Sequence, residues 1–475
     1  MPIYKDHSFR SGASAAAGAD SVYEISQSIR FNDNDTTYMS RTPSSASNRK
    51  TWTWSAWCKR GHITDSDNGN MFCTYGGGSA FSGIRWETTT QNDTLFIFDF
   101  NGSSFGYQLH TTQVFRDPSA WYHIVFAFDS TQSVSSERAR LYISGQRVTD
   151  FRTESYPTLN YDSYTNNNQL TVIGASNSGS YNEHLDGYLA EIIFLDGYAY
   201  GPEYFGTTNS SGIWIPIDYD TETGNYGTNG FYIDGRDSAD LGDDESGNGN
   251  DFTTSGLAAH DQVTDTPNNN FCTYNSTQLQ SGATLSNGDL DAVSSGSSWR
   301  NVHSTIGVSS GKWYWEVKAD VINSTESWIA GIQETSFVSK SNYWWQSGYT
   351  ASSSGIVFGV LDNNNKVTNT TKTSFTHDIA QGDIVQFQLN LDDNELTVLV
   401  DGVSKGKIYD ITADTEYTPA VCLYNTSSAT INFGQDGTFA GTETAGGNSD
   451  GNGVGNFKHS VPSGYLALCT KGLGS

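Results

Sequence analysis

The 52 acidic side chains of this 475-residue chain raise the first chemical question: whether any two are spaced to break a bond. Retaining hydrolysis of a glycosidic link needs two carboxyl groups about 5 Å apart. On a strand that means acids at i and i+2 or i+4, because alternate residues share a face. Neither a Glu-x-Asp-x-Glu nor a Glu-x-Asp-x-x-Glu run occurs. The nearest candidates, Glu191 and Asp196, are five residues apart and so point to opposite faces. Asp392, Asp393 and Glu395 fall at a hairpin, where acids simply solvate the turn. With no legible pair for cleavage, the expectation is a protein that is not an enzyme.

Metal chemistry has one opening. Asp244, Ser246 and Asn248 stand at positions 1, 3 and 5 of a run with glycine at position 6, the beginning of a Ca²⁺ loop. Its twelfth position is Ser255 instead of a bidentate Glu, and no flanking helices are legible, so a turn-rich loop competes with a Ca²⁺ site. A weaker copy from Asn448 carries His459 at its twelfth place. The nine histidines form no HxH or HExxH pattern suited to zinc. Gly76-Gly77-Gly78 lacks the following Lys-Ser/Thr of a phosphate-cradling loop.

Recognition chemistry combines aromatic faces with amide and carboxyl hydrogen-bonding groups. Ser341-Asn342-Tyr343-Trp344-Trp345-Gln346-Ser347-Gly348-Tyr349 has that mixture, with Tyr343 and Trp344 as the surface candidates and Trp345 and Tyr349 as packing residues. Tyr156, Tyr161 and Tyr164, beside Asn166-Asn167-Asn168, form a second polar-aromatic loop. It reads as either a binding rim or a decorated surface loop.

The elements that must position these groups are strands. Trp52, Trp54, Ala56 and Cys58 alternate with Thr51, Thr53 and Ser55, the period of a half-buried strand. Val385, Phe387, Leu389 and Leu391 alternate as cleanly with Gln386, Gln388 and Asn390. Similar runs recur throughout without helical periodicity between them, as in a sandwich or barrel. At 475 residues, two or three domains are expected. From Ser210 to about Ser281 the hydrophobic density drops, which marks a connector. The expected order is an N-terminal attachment arm (1–25), a sandwich (26–215), a loop-rich connector (216–284), a second sandwich (285–440) and a C-terminal segment (441–475).

A formal charge of −27 repels phosphate backbones and anionic membranes, so nucleic acid is excluded as a partner. Five scattered cysteines, Cys58, Cys73, Cys272, Cys422 and Cys469, build no disulfide framework, which fits synthesis in a reducing compartment. Near the N-terminus only Ala15–Ala17 is apolar, too short for a secretory core, and no run of about 18 apolar residues exists to insert in a membrane.

At several of these stretches the sequence is recognisable. Phe31-Asn32 through Arg41-Thr42-Pro43-Ser44, Thr51 to Trp57, Trp121-Tyr122-His123, Leu141-Tyr142-Ile143-Ser144-Gly145 and Leu185 to Glu191 together resemble the concanavalin A-like laminin-G domains common in bacteriophage structural proteins. Residues 285–435 resemble a SPRY domain through Ser310 to Val317, Gly382-Asp383-Ile384-Val385, Asp401-Gly402, Pro419-Ala420-Val421 and Ile431-Asn432-Phe433-Gly434. The closing Pro462 to Thr470 resembles the end of phage tail proteins that pair these modules. The fold this implies is all-β, two concanavalin A-like, jelly-roll β-sandwich domains in tandem with a loop-rich connector.

The function it implies is a non-enzymatic virion surface protein, a tail fibre or receptor-binding adhesin, made in the host cytoplasm without a signal peptide. Its partners would be other virion proteins through the N-terminal arm and a host cell-surface glycan or protein. Phage fibres further imply a homo-oligomer, a trimer by that analogy. Two alternatives stand beside it: a structural head or tail decoration or linker protein, and a capsule or polysaccharide depolymerase.

Overall fold

The computed structural model describes residues 23–474 except 62, 64–67, 89–92, 220–223, 338–356 and 369–370. Among them the chain divides into two compact units, 23–268 with Ser286–Asp289, and Asn269–Leu285 with 290–474. Both are β-sandwiches of almost wholly antiparallel sheets, the all-β class that the alternation implies.

In the first unit, one sheet runs in the order Gln146–Arg147, Ala139–Ile143, Trp121–Asp129, Thr51–Arg60, Gly187–Asp196, Ser28–Phe31, Gln262–Val263. The facing sheet runs Phe151–Ser155, Phe105–Val114, Thr94–Asn101, Ala80–Glu87, Gly69–Gly77, Thr171–Ile173, Tyr38–Arg41, Thr253–Ser255. Trp52, Trp54, Ala56 and Cys58 point into the core between them, and the Trp52 ring lies 5.1 Å from Phe128 and 5.4 Å from Phe126. Each fully buried ring of this kind contributes roughly 2–3 kcal/mol of apolar transfer.

The opposite face of Thr51–Arg60 is not wet as its alternation suggests: Thr53, Ser55, Trp57 and Lys59 are buried as well. The chain that follows Gly187–Asp196 folds over it. Thr53 Oγ1 donates to Tyr198 O (2.8 Å), and Lys59 Nζ reaches Asp265 Oδ2 (2.7 Å). Trp214 Nε1 donates to His123 Nδ1 (3.0 Å), so Nδ1 is an acceptor and Nε2 carries the proton toward Ser55 Oγ (2.9 Å). Burial pushes the His123 pKa down to about 3, keeping this imidazole neutral.

The expected connector 216–284 is therefore corrected. Phe231–Ile233 pairs with Gly187–Asp196, Thr253–Ser255 with Tyr38–Arg41, and Gln262–Val263 with Ser28–Phe31. These strands are two or three residues long, too short for alternation to show between turns. Of the expected arm 1–25, residues 1–22 lie outside the described residues. Ile25 is part of the unit, packed with Trp57 and Ala190, and its N–H donates to Asn268 Oδ1 (2.9 Å).

In the second unit, one sheet runs Ala283–Ser286, Asp291–Ser294, Ser428–Asn432, Lys312–Val321, Ile384–Asn390, Glu395–Val400, Val403–Asp410. The other runs Arg300–His303, Tyr417–Leu423, Trp328–Glu334, Val357–Leu361, Asn365–Thr368, Thr371–Ser374. Trp315 pairs across strands with Phe387, their rings 5.3 Å apart and nearly parallel. The C-terminal segment belongs to this unit: Leu466–Ala467 adds a parallel strand to Lys312–Val321. Buried Glu316 holds the approach to it, accepting from the backbone N–H of Lys458 (3.0 Å) and His459 (2.8 Å).

Candidate functional site

In the first unit's second sheet, Thr94–Asn101 sends Leu95 and Ile97 to the core and Phe96, Phe98 and Phe100 to the outer face. Register sets Arg85, Gly83 and Phe81 on one side of that row and His110, Gln108 and Phe105 on the other. Phe96 and Phe98 stack at 4.6 Å, Phe81 meets Phe98 edge-on at 5.0 Å, and Phe105 lies 5.0 Å from Phe100. A Cβ at position 83 would meet Phe98 Cζ at 3.0 Å, so glycine lets that ring lie across its neighbour strand. Phe98 is 2% exposed and Phe105 40%, which makes Phe105 the accessible end of the row.

Arg85 lies over the inner rings, its guanidinium carbon 5.6 Å from the Phe96 centroid and 5.1 Å from Phe98. Two carboxylates hold it there. Glu87 Oε2 accepts from Nε (3.1 Å) and Nη2 (2.7 Å), and Nη1 donates to both oxygens of Glu183 (3.0 and 3.1 Å). Glu183 also accepts from Asn68 Nδ2 (2.8 Å) and Asn70 Nδ2 (2.9 Å). Its backbone is in the left-handed region (φ 48°), fixed by Asn70 N–H donating to its carbonyl (3.1 Å). His110 closes the other end, Nε2 against Thr94 Oγ1 (2.7 Å), with burial lowering its pKa against the opposing charge of Glu87. Asn70 Oδ1 is buried without a hydrogen-bond partner.

Chemically, this is an aromatic row with a polar rim. Glu87 and Glu183 both spend oxygens on one guanidinium. The arrangement offers ring faces for stacking and polar groups for hydrogen bonding. Its residues escaped sequence reasoning because Glu183 lies 98 residues from Arg85, although Arg85 and Glu87 share one face of the strand Ala80–Glu87. One signal was available: phenylalanines at alternate positions 96, 98 and 100, on the side away from Leu95 and Ile97.

Of the residues singled out from sequence, Tyr343 and Trp344 lie outside the described residues. Tyr161 and Tyr164 are brought together by Asp99, which accepts from Tyr161 Oη (2.9 Å) and Tyr164 N–H (2.8 Å). Burial raises the Asp99 pKa to about 6 despite these donors. The Tyr161 ring packs edge-on to Tyr107 at 6.3 Å and occupies the space a Cβ at Gly106 would need. Tyr161 is thus packed against the core of the unit. Tyr156 stands apart from Tyr161 and Tyr164, donating to Glu154 Oε2 (3.0 Å).

In the loop of Asp244, Ser246 and Asn248, the Asp244 carboxylate is occupied by protein donors. Asp244 accepts from Tyr232 N–H (2.9 Å), Ser246 N–H (3.0 Å), Ser246 Oγ (2.8 Å) and Asn250 N–H (2.8 Å). Asn248 Nδ2 donates away to the carbonyls of Gly227 and Gly230. Among the described residues, no group of three His, Cys, Asp or Glu side chains is placed to hold a metal ion. Gly-x-Ser-x-Gly runs at 102–106, 307–311 and 447–451 all lie in loops and strand ends, without the following helix of a nucleophile elbow.

Residues 32–198 match the family model of the concanavalin A-like lectin/glucanases superfamily, and residues 312–436 match that of the SPRY domain. The chain carries one domain of each kind. The aromatic row, Arg85 and its two glutamates all fall in the lectin/glucanase-like domain. Both domains are of a ligand-binding or adhesive type.

Among solved structures, the chain is similar to the SPRY domain of human HERC1 at 18% identity and TM-score 0.28, covering 33% of this chain and 96% of that one. It is similar to domains LG4-5 of the mouse laminin alpha1 chain at 8% identity and TM-score 0.30, covering 89% and 92%. A heptameric SAP-like pentraxin from Limulus polyphemus gives 15% identity and TM-score 0.28, covering 38% and 80%. No curated protein sequence matches the chain.

Proposed function

We propose that the chain is a non-enzymatic virion surface protein, a phage tail fibre or receptor-binding adhesin that recognises a glycan or protein on the host surface. The observation that carries this reading is the Arg85 cluster. Accessible Phe105 continues a phenylalanine row, and Glu87 and Glu183 are both bound to one arginine beside it. Sugars present an apolar face to such rings and their hydroxyls to amides and carboxylates. In a homo-oligomer, weak single sites act together through raised effective concentration. The residues before Tyr23 would tie the chain to other virion proteins.

The test is binding of the purified chain to an array of bacterial surface glycans, compared with Phe105→Ala. Binding that falls at least about tenfold in this variant, a loss of about 1.4 kcal/mol, supports the proposal. Undiminished binding would place recognition elsewhere, and released reducing ends would replace the adhesin with a depolymerase.

A further inference from the structure

Lys59 lies on the central strand Thr51–Arg60, with Tyr188 and Trp121 as its cross-strand neighbours on either side. The Tyr188 ring centroid is 5.6 Å from Nζ, and the Trp121 and Tyr188 rings are 6.2 Å apart. Into this aromatic surround comes Asp265, from the segment that follows Gln262–Val263. Its Oδ2 is 2.7 Å from Lys59 Nζ, and both side chains are fully buried, at 0% exposure. One further contact fixes the carboxyl group and another fixes the Asp265 backbone. Trp121 Nε1 donates to Oδ1 (3.0 Å), and Ser28 Oγ donates to the Asp265 carbonyl (2.6 Å).

Taking two opposite charges wholly out of water is costly, and a covalent bond between them removes the cost. We propose that Lys59 and Asp265 are joined by an amide bond formed within the chain. A proton passes from Nζ to Oδ2 along their hydrogen bond, leaving an amine facing a carboxylic acid. The nitrogen lone pair adds to Cγ, forming the C–N bond, and Oδ1 takes up the developing negative charge. The Trp121 indole N–H is already aimed at that oxygen, as an oxyanion donor must be. When the carbonyl reforms, the bond from Cγ to Oδ2 breaks, and Oδ2 leaves as water with a second proton from nitrogen. Nothing is oxidised or reduced, and the product is a neutral amide plus water. Fixed proximity supplies most of what such a condensation needs. The linkage would lock the last segment of the unit to its central strand across 206 residues.

The experiment is intact mass spectrometry of the denatured full-length chain, followed by proteolytic mapping. The expected result is a mass one water below that of the sequence, with a branched peptide containing Lys59 and Asp265. Lys59→Arg keeps the charge without an amine nucleophile and should restore the full mass. A full mass in the wild-type chain overturns the proposal, and so does a water loss that maps elsewhere or persists in K59R. The wild-type measurement decides the question even if the variant fails to fold. It is independent of any glycan result.

Discussion

Arg85 is held by charge and by ring contact together, and removing it tests both. With its side chain 14% exposed and Glu87 6%, Arg85→Ala leaves two carboxylates without their cation. A loss of roughly 3 kcal/mol in unfolding free energy is expected by denaturant titration, because a partly buried charge loses its partner. Phe105→Ala, at an exposed end of the row, should cost under about 1 kcal/mol. The pair of variants therefore separates folding from binding.

Glu191 is a buried carboxyl group of the first unit. It sits where the strand register shifts between Ala190 and Ile193, with φ at 50°, and accepts from Tyr232 Oη (2.8 and 2.9 Å) and Tyr23 Oη (3.0 Å). Burial raises its pKa from 4.5 to about 7. Burial likewise raises Glu316 to about 7 and Asp99 to about 6. The folded state therefore holds these protons more tightly than the unfolded one. Their stabilising contribution is complete below pH 4–4.5, the unfolded range, and is lost as pH rises through 6 and 7. As pH falls from 8 toward 5 these carboxyl groups favour folding, while neutral His123 and His303, lowered by burial to about 3 and about 4, oppose it below about pH 6.5. The test is therefore a difference: Glu191→Gln should reduce the gain between pH 8 and 5, relative to wild type, by on the order of 2–3 kcal/mol.

At the scale of elements, two loops depend on single carboxylates. Glu316 accepts from Lys458 and His459 N–H, Tyr314 Oη (3.0 Å) and Asn432 Nδ2 (3.2 Å). Glu316→Ala strands those donors at about 1–3 kcal/mol. Limited proteolysis should then cut first between 441 and 465. The Asp244 loop tests the Ca²⁺ expectation: with its carboxylate occupied by four protein donors, EDTA should leave the melting temperature unchanged. A drop on chelation would establish a bound cation.

Which elements were legible follows from their length. Thr51–Arg60 and Ile384–Asn390 run for ten and seven residues, enough for alternation to show which face meets the core. Phe231–Ile233 and Gln262–Val263 give three and two residues, and glycine and aspartate around them signal turns whether or not they add to a sheet. Burial of the second face of Thr51–Arg60 was hidden because what covers it, Tyr198, Trp214 and Asp265, comes from segments after Gly187–Asp196 that carry no alternation of their own. Arg85 meets Phe96 through strand register and Glu183 across 98 residues, which no local pattern records.

At the scale of the whole molecule, the exposed sheet edges are guarded against chain-to-chain pairing. Phe151–Ser155 carries a register shift beside Arg152, Val403–Asp410 has two shifts with Lys405 and Lys407, and Thr371–Ser374 holds Lys372. Bulges and lysines are common ways of blunting an edge. With a charge of −27 added, solubility at high concentration is expected, and turbidity should appear only near the isoelectric point of about 4.4.

The claim that joins these scales is that the lectin/glucanase-like domain binds a surface glycan through its outer aromatic row without cleaving it. The measurement is incubation of the full-length chain with host-surface polysaccharide, following retention and reducing-end release together, alongside Phe105→Ala. Retention by the wild-type chain, weaker retention by the variant and no new reducing ends are the predicted result. Reducing ends that accumulate with time and vanish in Glu87→Gln or Glu183→Gln would contradict it.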